Sequence, residues 1–265
     1  MKEIMKWELK NLLRFPILEI IIVFAVFQIG LIWLMFNSFS VGTYENMLTI
    51  SSFHSQIGQF AYRIVTNNFV DSRTIIYLLA SLLFTISFAY ELDTNLTKIY
   101  MSYPVKRRDY FVSKFVGCFA VIFLTFLFVG IGFAIFMDPV YASVIILSPF
   151  ILAYALALAL LIFFASSVAT IIAIFSKNTA LSFIGSFFVL HMFDSSAAKM
   201  KIAPPSFLRE IWEVFFTGTT SVKNGEIIYH IPYLDALKTI YFPVIISIVL
   251  FLISFIYYTK YFEVK

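Results

Sequence analysis

The 265-residue chain is 61% apolar by the residues AVILMFWYC and 13% charged, against about 45–50% and about 25% in a soluble globular domain. That is more apolar surface than one soluble core can hide, and nine Gly, eight Pro and one Cys exclude collagen, intrinsic disorder and a disulfide scaffold. An integral membrane protein remains, and a net charge of +4 is no nucleic-acid signal until its location along the chain is known.

Residues 1–15 have the pattern of an amphipathic interfacial helix. Lys2, Lys6, Lys10 and Arg14 recur every four residues, Met5, Leu9, Leu12 and Leu13 occupy another face, and Trp7 sits at its edge. A first transmembrane helix is predicted over 16–36, interrupted only by Glu19 and Gln28. Its apolar run is too long for a signal-peptide core and no small-residue cleavage site follows, so it reads as a retained anchor. Glu19 lies about one turn inside the boundary, where snorkelling or pairing with Arg14 or a neighbouring helix accounts for it better than a transport role. Gln28, nearer the middle, has the chemistry to hydrogen-bond between helices or between subunits. The polar stretch 37–73 contains no recognisable site, and His54 in it reads as a surface residue.

Further transmembrane helices are predicted over 74–90, 115–137, 149–175, 179–193 and 240–260, six in all. Continuous apolar runs of this kind exclude a barrel, whose strands alternate. The fourth span carries Ala153, Ala157, Ala165, Ala169 and Ala173 at a four-residue step, broken by Leu161, which suits close helix packing within the subunit. With the N-terminus inside, twelve of the nineteen basic residues fall on inner segments: Lys2, Lys6, Lys10, Arg14, Lys98, Lys106, Arg107, Arg108, Lys114, Lys177, Lys260 and Lys265. The seven others are spread over longer outer loops, so both termini are expected in the cytoplasm of a multi-pass plasma-membrane protein.

The inner stretch 91–114 is the most informative. Asp93 or Thr94 is suited to cap a short helix in which Leu96, Ile99, Tyr100 and Tyr103 form one apolar-aromatic face, and Pro104 stops it. Asp109 opens the helix that becomes span three. The apolar face needs a cover, and either the membrane surface or a soluble partner would supply it.

The order Glu91, short helix, Ser102-x-Pro104-Val105-x-Arg107, Tyr110, Lys114 resembles the membrane subunit of ABC-2 type (type V) exporters. Six spans, inner termini and a basic N-terminal helix follow the same layout, although that family often has Gly where this chain has Ser113. The resemblance implies that the helix at about 94–103 is a coupling helix, with Glu91, Leu96, Ile99, Tyr100, Tyr103, Pro104, Arg107, Arg108 and Lys114 coupling the chain to a separate ATP-hydrolysing subunit. It also implies that the N-terminal helix and the Lys177 turn lie close to that subunit. The implied assembly is two ATP-binding subunits with two permease subunits, identical or related, in the bilayer, and no nucleic acid.

The outer segment 194–239 contains Pro204-Pro205, then Ser206 as a helix cap and an amphipathic run with Phe207, Trp212 and Phe215. In that family the corresponding loop holds short helices that dip into the membrane and close the outer end, which would make Pro204, Pro205 and Trp212 gate residues; a plain surface amphipathic helix fits the pattern equally well.

Catalytic chemistry is not evident. None of the nine Gly precedes a Lys, so the phosphate-cradling loop of an ATPase is missing, and H-E-x-x-H and G-x-S-x-G are absent. The chain therefore reads as a transport permease and not an enzyme, with no cofactor of its own. His191 and Asp194, with His230 distant, are too few to make a metal site and read as helix-end polar residues. Cys118 reads as a packing residue. The alternatives are an ion-coupled secondary transporter and a non-transporting membrane scaffold; the former usually shows interrupted or ionisable mid-membrane segments in both halves, which this chain lacks apart from Glu19 and Gln28.

Overall fold

The structure, a computed structural model, describes residues 2–31, 72–97, 100, 106–137, 150–198, 219–223, 226–230 and 233–261. Ile99, Tyr103, Pro104, Pro204, Pro205 and Trp212 lie outside the described residues, as do 32–71.

Seven helices account for nearly all of the described chain. Helix α1 (Lys2–Leu12) meets α2 (Ile17–Leu31) at a bend of 65°. Helix α3 (Ser72–Asp93) is continuous but contains a π turn over Thr85–Tyr90. There follow α4 (Arg107–Met137), α5 (Phe150–Ser176), α6 (Thr179–Ala198) and α7 (Tyr233–Ile256), the last running into a second π turn at Tyr257–Tyr261. Among the described residues four helices are long and apolar enough to cross a membrane, and the bent pair α1–α2 brings the number to five. The membrane part is therefore helical and multi-pass. The apolar part of α6, Thr179–Phe193, is the shorter helix: at 1.5 Å per residue it falls short of a hydrocarbon core of about 30 Å.

Helix α5 agrees closely with the predicted span, whereas α3 extends past both predicted ends, α4 begins eight residues before the predicted 115 and ends where expected, and α7 begins seven residues before the predicted 240. The short helix expected after Ser206 lies outside the described residues. Beyond it, where no strand was expected, an antiparallel hairpin pairs β1 (Thr219–Lys223) with β2 (Glu226–His230), Val222 opposite Ile227 and Lys223 opposite Glu226. The local sequence explains this: β-branched and aromatic residues flank Asn224-Gly225, the dipeptide best suited to a two-residue hairpin turn.

Helix α5 is the packing centre, in contact with α3, α4, α6 and α7. Its small residues permit this. Ala157, Ala165, Ala169 and Ala173 are all buried, with Leu158, Leu161 and Ile162 between them. Gly130 of α4 serves the same end, since a Cβ there would meet the ring of the buried Tyr154, with Cζ at 2.9 Å. At one end of the bundle a block of aromatic rings interlocks: Phe115 meets Phe251 edge to face at 4.7 Å, and Phe111 lies between Phe88 and Tyr258 at 5.4 and 5.5 Å. The hydroxyls inside the helices are mostly bonded back to the preceding turn, as with Thr170 to the Ser166 carbonyl (2.6 Å) and Ser247 to that of Pro243 (2.6 Å). Gln28 donates to the Ser72 hydroxyl and thereby ties α2 to α3, the interhelical role its type suggested.

Candidate functional site: a buried charge cluster under the 91–107 segment

The segment between α3 and α4 is held at its base by a group of charges that the fold removes from solvent. Lys114, on the second turn of α4, is fully buried. An ammonium has three protons to place, and three acceptors surround this one: Glu91 Oε1 at 2.5 Å, the Ser87 carbonyl at 2.6 Å and Glu8 Oε1 at 3.4 Å. Tyr110, one turn before Lys114, donates its hydroxyl to Glu91 Oε2 at 2.7 Å. The Phe88 and Tyr110 rings flank the ammonium at 5.8 and 5.0 Å. Cys118 lies below with its Sγ 3.0 Å from the Ser87 hydroxyl.

Helix spacing builds the site. Tyr110 and Lys114 are i and i+4 on α4 and share a face, and on α3 the Ser87 carbonyl and the Glu91 carboxylate reach the same ammonium across the π turn. Glu8 comes from α1, which packs on α4 with Glu8 and Leu12 over Gly117. The α1 helix is therefore packed on the bundle. One of its faces is docked on the bundle while Lys6, Lys10 and Arg14 stay exposed. Burial pushes the Glu8 carboxyl above its ordinary range, because the cost of desolvating a second carboxylate outweighs the attraction of Lys114, whose ammonium Glu91 already engages more closely.

Two further contacts fix the segment. Asp93 was a candidate cap for the short helix after it; instead its Oδ2 accepts from the backbone N–H (3.1 Å) and hydroxyl (2.8 Å) of Thr179, the first residue of α6. Asn178 caps the same terminus from within, accepting from the Leu181 N–H at 2.9 Å. Thr94 is no cap either, since it donates to the Tyr90 carbonyl at 2.7 Å. Asn95, at φ 59°, turns the chain out of α3 in the left-handed conformation that Asn tolerates, and Lys177, at φ 49°, does the same after α5. Beyond Asn95, Leu96, Thr97 and Tyr100 are helical. The Tyr100 ring sits between Trp7 of α1 (5.3 Å, edge-on) and Tyr110 of α4 (6.1 Å). The chain itself thus covers part of the aromatic face for which the membrane or a partner was expected.

Of the residues assigned to coupling, Glu91 and Lys114 are interior fasteners, Leu96 and Tyr100 are half-buried, and Arg107 and Arg108 are exposed. Lys106, Lys177 and Lys260 are exposed as well, and the Phe175–Tyr257 (4.6 Å) and Asp93–Thr179 contacts bring all these elements to the same end of the bundle. Glu19 is exposed on α2, and among the described residues no ion pair holds it, so of the two alternatives, snorkelling and pairing, the pairing is not made. His191 is exposed beside Phe187, and no group of three metal-ligating residues occurs among the described residues. Sequence reasoning missed Glu8 and Asp93–Thr179. The first left a signal, a carboxylate four residues from both Ile4 and Leu12 on an otherwise apolar stripe; the second left none, because its partners are 86 residues apart. No protein-family model matches the chain, and no curated protein matches it.

Proposed function

We propose that the chain is the membrane-spanning subunit of an ATP-driven ABC-2 type exporter, with six spans and both termini in the cytoplasm of the plasma membrane. It works as one of two permease subunits with two copies of a separate ATP-binding subunit, and it has no catalytic group or cofactor of its own. The observation that carries this reading is the anchoring of the 91–107 segment. Glu91, Tyr110 and Lys114 close its two feet together, Glu8 fixes α1 beside it, and Asp93 ties it to α6. A segment that only joined two spans needs none of these ties. One that must pass a push from a soluble motor into several helices at once needs all of them. The exposed Lys106, Arg107 and Arg108 at its exit suit a soluble partner of opposite charge. The outer residues Pro204, Pro205 and Trp212 belong to the closing of the far end of the path in the same proposal.

An ion-coupled transporter is less well supported. Gln28 is engaged with Ser72, and Glu19 is exposed on the outside of α2. The test is co-purification of the tagged chain from its native membrane, with assay of the complex for ATP hydrolysis. A bound ATPase is expected, and Arg107→Glu/Arg108→Glu and Tyr100→Ala should release it or uncouple it while the protein still inserts. Recovery of the intact chain without any ATPase, or unchanged coupling in both variants, would overturn the reading.

A further inference from the structure

The π turn of α3 lies at the charge cluster and nowhere else along that helix. π turns arise where a helix accommodates one residue more than the α repeat allows, and they recur at functional positions. Here the Glu91 N–H is directed to the Phe88 carbonyl, three residues back, where a regular α-helix would direct it four residues back, to Ser87. The Ser87 carbonyl accepts Lys114 from α4. The second π turn, Tyr257–Tyr261, stands at the same level, its Tyr258 ring against Phe88 (6.1 Å) and Phe111 (5.5 Å).

We propose that the turn Thr85–Tyr90 is a register switch between α3 and the segment that follows it. In the π form the extra residue is absorbed locally, and Glu91 and Asp93 point at Lys114 and Thr179. Conversion of the turn to α passes that residue on. Everything after it then rotates by about 100° and advances by about 1.5 Å relative to residues 72–84. Glu91 leaves Lys114, Asp93 leaves Thr179, and the Glu91 N–H takes the Ser87 carbonyl that Lys114 gives up. Two restraints, the Glu91–Lys114 pair and the Asp93–Thr179 bonds, hold the π form, so a displacement of Glu91–Asp93 that breaks both is converted into rotation at the foot of the helix. This inference concerns the helix itself and stands whether or not the partner is an ATPase.

The test uses the full chain in lipid nanodiscs with Cys118→Ala, and nitroxides on Thr94→Cys and Ala180→Cys, both exposed positions on the two sides of the Asp93–Thr179 contact. Dipolar broadening between the labels is expected in this background and should fall in Glu91→Gln/Asp93→Ala. Deletion of Ile86 in that same double variant removes the extra residue, leaves both flanks in their present register, and should restore the broadening. Unchanged broadening in the double variant overturns the switch. So does failure of the deletion to restore it, since mere loosening of the segment would not be repaired by a shorter helix. Should the deletion protein not insert, exchange of the backbone amide at position 91 in the double variant decides: slower exchange than in the parent supports the α form, and faster exchange overturns it.

Discussion

Helices α3 and α7 are both long and apolar enough to span a membrane, yet an 18-residue apolar stretch within Ser72–Asp93 is 67% buried inside the protein and that within Ile240–Lys260 only 17%. The buried helix is the less apolar of the two. It carries Ser72, Ser81, Thr85 and Ser87 inside, and it ends on Glu91 and Asp93; α7 presents Tyr241, Phe242, Ile245, Ile248 and Leu252 outward. In water the order would be the reverse. In a bilayer the surroundings are as apolar as leucine, so an apolar face gains little by being covered, whereas a polar group must find its partner inside the protein. Between these two helices burial follows polarity, whereas α5, more apolar than either, is buried as deeply as α3 because its alanines let neighbours approach; the functional candidates collect at the polar end of α3.

The sharpest way to break that comparison is to remove the cation of the buried end. Lys114→Met leaves the Glu8 and Glu91 carboxylates buried together without their counter-charge, and a loss of about 3–5 kcal/mol is expected in reversible unfolding from mixed micelles. Gly130→Ala tests packing against α5. A Cβ there overlaps the Tyr154 ring, a loss of about 1–3 kcal/mol is expected, and Tyr154→Leu in the same chain should recover part of it. A smaller effect is expected at Glu8. Its carboxyl titrates higher when docked than when free, so its contribution to α1 docking is complete below its ordinary value of 4.5 and fades as pH rises through the raised one. Trp7 emission, read in a Trp33→Phe/Trp212→Phe background, should shift to the red over that rise, and Glu8→Gln should abolish the shift. The smallest effect is expected on α7. Ile245→Ala or Ile253→Ala should change stability by no more than about 0.5 kcal/mol. A larger loss there would mean that another helix, and not lipid, covers the face, and the contrast with α3 would narrow to a matter of which neighbour does the covering.

Much of the bundle was legible because spans are written in long stretches of one kind of residue. The boundaries of α5 and the packing role of its alanines follow from periodicity alone. Glu91, Tyr110 and Lys114 were visible as spaced residues, but not their burial, because in sequence a lysine at the foot of a span has the same appearance whether it faces water or two carboxylates. The hairpin was missed for a different reason: five-residue strands around Asn224-Gly225 are short beside the apolar helices that dominate the chain. The turn at Thr85–Tyr90 has no sequence signature at all, since one surplus residue in an apolar helix leaves its composition unchanged.

The two-residue link between α5 and α6 bears on how the chain is made. Only Lys177 and Asn178 separate these helices, so their contacts close almost no loop and form as soon as both are synthesised. The charge cluster follows the opposite schedule. Glu8 and Glu91 are made before Lys114, and neither has its cation until the first turns of α4 have emerged. Until that moment two carboxylates must wait in water, which keeps α1 and the lower end of α3 from sinking into the bilayer before the helix that receives them exists.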